Sequence, residues 1–254
     1  MGAKVHAAAI VDPHAELAPD VEVGPYAVVE AGVILAERCV LHPHAVVRGP
    51  TTLGPGNVVH PFAVIGGQPQ AKRTPAGPAV LRIGANNVFR EHVTVHGGTA
   101  GGATVVGSDN LFMVGAHVAH DAQIGSDVVV ANATQLAGHA DVEDWVTFGG
   151  LSGVAQHVRV GESAFVAAAA ACERDVPPFM VVQGDRARVR GVNVVGLRRR
   201  GVAEESIVAL QRAARKLWLS GSTRAHALLA LEAEADPYVV RLVVALRRSS
   251  ARCP

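Results

Sequence analysis

Aromatic residues make up only 4% of this 254-residue chain. An ordinary globular core relies on large rings for much of its apolar area, so the interior here must be filled another way. Cysteines number three, Cys39, Cys172 and Cys253, widely scattered with no CxxC pair. That count gives no disulfide framework and fits a reducing compartment. The longest apolar run, Ala164 to Cys172, is far short of the roughly 20 residues of a membrane-spanning helix. The opening residues MGAKVHAAAIVDPHAE lack the apolar stretch of a secretory signal. The expectation is a cytoplasmic protein with no membrane span. No single charge dominates either, with a net +1, but the signs are segregated. Residues 186–254 hold 14 Lys/Arg against 5 Asp/Glu, and residues 1–185 hold 9 against 17. The basic third suits either an anionic partner or a solvated helical surface. Aromatic residues do not interleave with its basic ones as stacking on nucleic acid requires, so no nucleic-acid partner is expected.

What the chain has in place of rings is a repeat. Stepping by six from Val5 gives Val11, Leu17, Val23, Val29, Leu35, Leu41, Val47, Leu53, Val59 and Ile65, all aliphatic. The phase resumes at Ile83, Phe89 and Val95, then shifts and runs from Val106 through Phe112, Val118 and Ile124 to Val166. Four residues after each large position lies a smaller one, such as Ala27, Cys39, Ala45 or Asn57. Neither an amphipathic helix nor simple strand alternation has this period. A prism of short strands does: large and small positions point inward, and Gly, Pro, Asn and Asp are expected to make the corners. Three hexads form one 18-residue coil, and coils stack as parallel strands about 4.8 Å apart. Two segments interrupt the pattern. Residues 67–82 are expected to replace about one coil with an extruded loop, and a shorter insertion covers about 100–105.

The hexads stop after Val176-Pro177-Pro178. Residues 202–219 then space Ile207, Leu210, Ala214 and Leu217 helically, with acids early and bases late, as the helix dipole prefers. Ser222 or Thr223 is expected to cap a second helix running to about Ala235. Asp236-Pro237 starts a third, with proline at its first position. The predicted organisation is therefore a β-helix over 1–185 and a small helical domain over 186–254.

An 18-residue coil converts sequence spacing into stacking. Asp121, His139 and His157 form one column, and His120, Gly138 and Gln156 the next, with His117 nearby. Outward His6, His14, His42, His44 and His60 are read as solvated. The 117–157 group combines imidazoles, a carboxylate and a bare glycine backbone, and two chemistries use that combination. In one, His120 is a general base steadied by Asp121 while a Gly138 N–H faces an oxyanion. In the other the imidazoles bind a metal, as three histidines do between subunits of the γ-class carbonic anhydrases, also β-helix proteins. The histidines here fall in neighbouring columns rather than a recognisable ligand triplet, so no metal is expected.

Four segments carry a family resemblance: VGSDNLFMVGAHVAHDAQIG (Val106–Gly125), NATQLAGH (Asn132–His139), DVPPFMVVQG (Asp175–Gly184) and GVNVVGLRRRG (Gly191–Gly201). They resemble the UDP-N-acetylglucosamine acyltransferases of lipid A biosynthesis, over nearly the whole chain. The resemblance implies a left-handed parallel β-helix with a small C-terminal helical domain, assembled as a homotrimer with active sites between subunits. It implies transfer of a 3-hydroxyacyl group from acyl carrier protein to the 3-position of a UDP-sugar, without cofactor. By it His120 is the general base, Asp121 its partner and Gly138 the backbone donor. Gln70, Arg73, His96, His117, His139 and Gln156 belong to the substrate cleft. Asn193, Arg199 and Arg200 fall on the segment that contacts nucleotide and phosphate. Phe165 and Ala168 occupy positions that set acyl length, and alanine where glycine admits long chains implies a shorter or intermediate chain. The acidic carrier protein suits the basic C-terminal third.

Departures from the family pattern cluster at the sugar. The extruded loop, usually like PQDLKY, reads Pro69-Gln70-Ala71-Lys72-Arg73-Thr74, so Ala71 replaces an aspartate and Arg73 a lysine. The family's AVHQF reads Gly153-Val154-Ala155-Gln156-His157, and Val195 stands at an acidic position. A 3-amino sugar acceptor and an acetyl-coenzyme A donor are the alternatives these changes raise. A metal-dependent hydratase and a non-catalytic trimeric scaffold are the remaining ones.

Overall fold

The computed structural model describes residues 2–70 and 77–249. From Lys4 to Cys172 the hexads fold into strands of two to four residues separated by corners. The strands stack into three parallel sheets. The first face begins at Lys4–Val5, the second at Ile10–Val11 and the third at Glu16–Leu17. Lys4 pairs with Glu22 and Val28 with Val46, so a regular coil returns above itself after eighteen residues. Strand N–H groups donate to the coil ahead, as Lys4 N does to Val21 O at 2.8 Å and Val28 N to Ala45 O at 2.9 Å. The large hexad positions from Val23 onward are buried, and so are the small ones from Val21 onward.

The insertions enlarge coils instead of replacing them, which corrects the expectation for residues 67–82. Val58 pairs with Val88, thirty residues on instead of eighteen, so the first insertion adds twelve residues to one coil. Thr94 pairs with His117, twenty-three residues on, so the second adds five. Both leave the chain between the second and third faces, after Val64–Gly67 and Thr94–His96.

The corners also differ from expectation. From Asp121 to Ala169 every sixth residue has φ between +54° and +62°, and the set includes His139, Trp145, Leu151 and His157. Left-handed backbone costs a side-chain-bearing residue about 1–2 kcal/mol. The stack offsets this cost. From Asp127 onward each such N–H points along the axis to a carbonyl one coil back, as His139 N does to His120 O at 3.0 Å and Trp145 N to Ser126 O at 2.9 Å, while Asp121 N donates to Thr104 Oγ1. Glycine is therefore not required at these corners.

Where small interior positions are asparagine, they form a buried ladder. Asn57 Nδ2 donates to Gly54 O and Gly84 O, and its Oδ1 accepts from both Asn87 N and Asn87 Nδ2. Asn87 Oδ1 accepts from Asn110 N, and Asn110 Oδ1 from Val128 N at 2.7 Å. Each side chain occupies the bend of one coil and ties it to the next.

Met180–Gln183 extends the first face and then pairs antiparallel with Arg188–Val192. Four helices follow: α1 (Val194–Arg199), α2 (Glu204–Trp218), α3 (Arg224–Leu229) and α4 (Pro237–Arg248). Ile207, Leu210, Ala214 and Leu217 of α2 are buried with Phe179, Met180, Leu197, Leu242 and Leu246 in a second core. Thr223 caps α3 and Asp236 caps α4. Helix α3 stops six residues short of Ala235. The chain continues in three-residue turns (Leu231 N to Leu228 O, Glu234 N to Leu231 O). It must be extended by Asp236, the residue before proline. No helix among the described residues is long and apolar enough to cross a membrane.

Asn87→Ala should lower stability by about 2–4 kcal/mol, because it orphans groups on both neighbouring coils at about 1–3 kcal/mol each. Thermal and urea melts of the variant beside wild type check this, and a change under about 0.5 kcal/mol would mean the ladder is not needed.

Candidate active site

The second face carries a groove of about 410 Å³. Its lining follows the coil repeat in three columns: His117, Gln135, Gly153 and Ala171; Ala119, Ala137, Ala155 and Glu173; and His120, Gly138 and Gln156. Gln70, from the base of the long insertion, closes one edge. Strands two residues wide give these side chains little backbone freedom, so the spacing between columns is set by the sheet itself.

At the rim, His120 Nδ1 lies 2.9 Å from Asp121 Oδ2. With an ionised carboxylate there, the ring proton sits on Nδ1 and the Nε2 lone pair is left for a ligand. Burial alone would push the Asp121 carboxyl up. Hydrogen bonds from His120 and from Thr99 outweigh it and hold the carboxyl below the usual range. Gly138 lies one coil above His120, and a Cβ there would fall 2.7 Å from His120 Cε1 and 2.8 Å from Nε2. Only glycine lets the ring lie against this peptide. On the other side of Asp121, His139 Nε2 is 3.7 Å from Oδ2. The His139 ring stands edge-on to His120 and stacks on His157 at 4.6 Å. Below, His117 Nδ1 is 2.7 Å from Thr94 Oγ1, and the His117 ring meets His96 edge-on at 4.8 Å. Burial pushes both imidazoles down, His96 to about 4. At neutral pH these two rings are uncharged.

Cys172 lies at the floor of the groove, where burial pushes its thiol up to about 12. It is not a nucleophile near neutral pH. Donor atoms of His120, Asp121 and His139 lie within 4.8 Å of one another, the only such grouping among the described residues. A metal held through His120 Nδ1 would have to displace the proton of the His120–Asp121 hydrogen bond.

The structure thus gathers His117, His120, Gly138, Gln156 and Gln70 at one groove, with Asp121 and His139 directly behind its rim. His96 is buried beneath it and pressed against Gly67. Other expected residues lie elsewhere on the single chain. Asn193 caps α1 and donates to Ser163 O at 2.9 Å. Arg200 stacks 3.7 Å over Trp145 and pairs with Glu162 at 2.9 Å. Arg199 is exposed on α1. Phe165 belongs to the first face and Ala168 to an exposed corner beside it. Arg73, Ala71 and Lys72 lie outside the described residues. Gln135, Ala171 and Glu173 are not among the residues expected from the sequence, although repeated steps of eighteen from His117 and Ala119 reach them. Nor is Thr99, which no period reaches because it lies in an insertion.

A β-helix of hexads that sets a histidine–carboxylate pair and a glycine peptide on a groove defines an acyltransferase of the hexapeptide-repeat class. A family profile described as "Udp N-acetylglucosamine O-acyltransferase; Domain 2" matches residues 175–253. The acyl-[acyl-carrier-protein]–UDP-N-acetylglucosamine O-acyltransferase of Janthinobacterium sp. (strain Marseille) is 44% identical, over 91% of this chain and 89% of its own. That of Alkalilimnicola ehrlichii is 50% identical over 87% and 86%. A solved UDP-N-acetylglucosamine acyltransferase from Bacteroides fragilis superposes with a TM-score of 0.95 at 32% identity, covering 98% of each chain. The chain belongs to the family of acyl-[acyl-carrier-protein]–UDP-N-acetylglucosamine O-acyltransferases.

The depressed His96 imidazole has a stability consequence. Between about 6.5 and about 4 the unfolded chain binds a proton that the folded chain refuses, so stability falls as pH falls through that window. His96→Gln should flatten this acid-side loss in melting temperature measured from pH 7 to pH 4. An unchanged slope would mean that His96 is not its source.

Proposed function

We propose that this protein transfers a 3-hydroxyacyl group from acyl carrier protein to the 3-hydroxyl of UDP-N-acetylglucosamine, with His120 as general base. The observation that carries this reading is the His120 ring, held at Nδ1 by Asp121 and lying against the Gly138 peptide. As the sugar oxygen attacks the thioester carbonyl, His120 Nε2 accepts its proton. The tetrahedral oxyanion forms beside the Gly138 N–H. Collapse breaks the C–S bond, and the imidazolium returns its proton to the departing carrier thiolate. Asp121 stays ionised throughout and stabilises the transient cation. The thiol of Cys172 is too basic to form an acyl-enzyme, which favours direct transfer.

A homotrimer completes the reading. Tyr26, His44, Phe62 and His92 stack ring on ring at 5.0–5.3 Å along the corner between the first and second faces. Tyr26 is 60% exposed, Phe62 52% and Leu151, on the same corner, 72%. Such an apolar stripe beside a groove is what a subunit contact covers. The first face of a neighbouring copy, with Phe165, Ala168 and the Arg199 helix, would then face the groove of this one. An acidic carrier protein would meet the basic C-terminal third, in the cytoplasm where such carriers work.

Ala155 favours a second acceptor. It lines the groove where the family pattern has histidine, and the space it leaves suits a 3-amino sugar equally well. Product masses from paired 3-hydroxy and 3-amino acceptors separate ester from amide.

His120→Ala should lower turnover about 10²–10⁴-fold, the usual contribution of a general base; near-normal rates would end its assignment. Across a series of acyl carrier protein thioesters the rate should peak at a short or intermediate chain, because Ala168 adds a methyl group where glycine admits longer ones. A maximum at the longest chains would refute this.

A further inference from the structure

We propose that the five-residue insertion between Gly97 and Ala103 is a carboxylate clamp, in which Thr99 is a positioning residue that holds Asp121 against the His120 ring. The proposal rests on the reading of His120 as general base. Asp121 sits at a left-handed corner, φ +60°. In the regular lattice such a corner projects its side chain outward, where rotamers are free. The insertion in the coil beneath removes that freedom. Thr99 N donates to Asp121 Oδ1 at 3.0 Å and to Oδ2 at 3.2 Å, and Thr99 Oγ1 donates to Oδ2 at 2.9 Å. From below, Thr104 Oγ1 accepts from Asp121 N at 2.8 Å. The Asp121 side chain is left 8% exposed.

The loop's glycines are shaped to this task. A Cβ on Gly102 would fall 2.2 Å from Asp121 Oδ1, so any side chain there would push into the carboxylate. A Cβ on Gly98 would lie 2.6 Å from Ala103 backbone, which pinches the neck of the loop. That neck is tied to the long insertion: Gly98 N and Thr104 N both donate to Val80 O, at 2.9 and 3.1 Å. A loop needed only to join strands would not end two donors of one threonine on a carboxylate. Burying that carboxylate is costly unless it is fully bonded; its remaining hydrogen-bond partner is His120, and the other titratable group facing it is His139, whose Nε2 is 3.7 Å from Oδ2.

The test uses the full chain with an acyl carrier protein thioester and UDP-N-acetylglucosamine. Thr99→Val keeps shape and removes Oγ1. It should lower kcat about tenfold, as expected for one hydrogen bond to a charged group. Acceptor KM should change less than about twofold. The acid limb of the kcat–pH profile should move to lower pH, because the ring proton loses its fixed anionic partner. Thr99→Ser, which retains the hydroxyl, should restore both rate and profile. Gly102→Ala should impair kcat at least as much as Thr99→Val. The proposal is overturned if Thr99→Val keeps a wild-type kcat and an unmoved acid limb, if Thr99→Ser is as impaired as Thr99→Val, or if Gly102→Ala turns over normally. His120→Ala separates the two readings. An active His120→Ala enzyme removes the base itself, whereas an inactive one beside a normal Thr99→Val removes only the clamp.

Discussion

The β-helix and the groove on it depend on the chain returning above itself after eighteen residues. The return is enforced along the axis in two ways. Strand N–H groups donate to the next coil, and left-handed corner N–H groups donate to the previous one, as His139 N does to His120 O. No single contact is strong, but each coil is templated by its neighbour, as in other solenoids. The consequence for chemistry is that sequence offset becomes position. Residues eighteen apart lie one strand spacing apart, and a column of side chains is a rigid ruler rather than a loop that must be ordered by a ligand.

This lattice is also why so much was legible in the sequence. The hexad from Val5 to Val166 gave the strands, the inward faces and the stacking of Asp121 on His139 on His157. The corner chemistry was not legible. Turn propensity points to Gly, Pro, Asn and Asp, but an axial hydrogen bond lets His, Trp and Leu hold positive φ. The long-insertion reading failed for a related reason, since only strand pairing shows that Val58 meets Val88 and that no coil was lost. Helix α1 was missed because six residues give too short a window for helical periodicity. For the site, the groove columns follow from arithmetic. The engagement of Arg200 by Glu162 and Trp145 does not, because those residues meet only through the docking of α1 on the prism.

Burial sets protonation in a way that isolates one charge. His96 and His117 are buried deeply enough to stay neutral, and Cys172 keeps its proton for the same reason. Asp121 is the exception, since its donors outweigh its burial. The rim therefore sets one buried anion, Asp121, behind one imidazole, with uncharged rings beneath, while Glu173 lines the groove at another edge. An imidazole in that setting has a defined tautomer and an anionic neighbour ready for the cation that proton abstraction creates. A second charged histidine beneath it would oppose that cation. The burial of His96 and His117 has this electrostatic effect as well as a packing one.

The placement of the two insertions ties these points together. A perfect prism repeats the same outward surface at every coil, and a repeated surface cannot bring unlike groups to converge on one point. Convergence needs a break in the lattice. Both breaks occur on successive coils at the same edge, between the second and third faces, and Asp121 occupies that edge on the very next coil. The long insertion sends Gln70 over the groove, and the short one packs against its base through Val80 and reaches Asp121. Seventeen extra residues are thus concentrated where the regular coil could offer only an exposed corner. The lattice supplies the spacing of His120, Gly138 and Gln156, and the interruptions supply direction and enclosure. Neither alone makes a site: hexads without insertions leave Asp121 free to rotate, and insertions on a yielding scaffold would have no fixed ring to aim at.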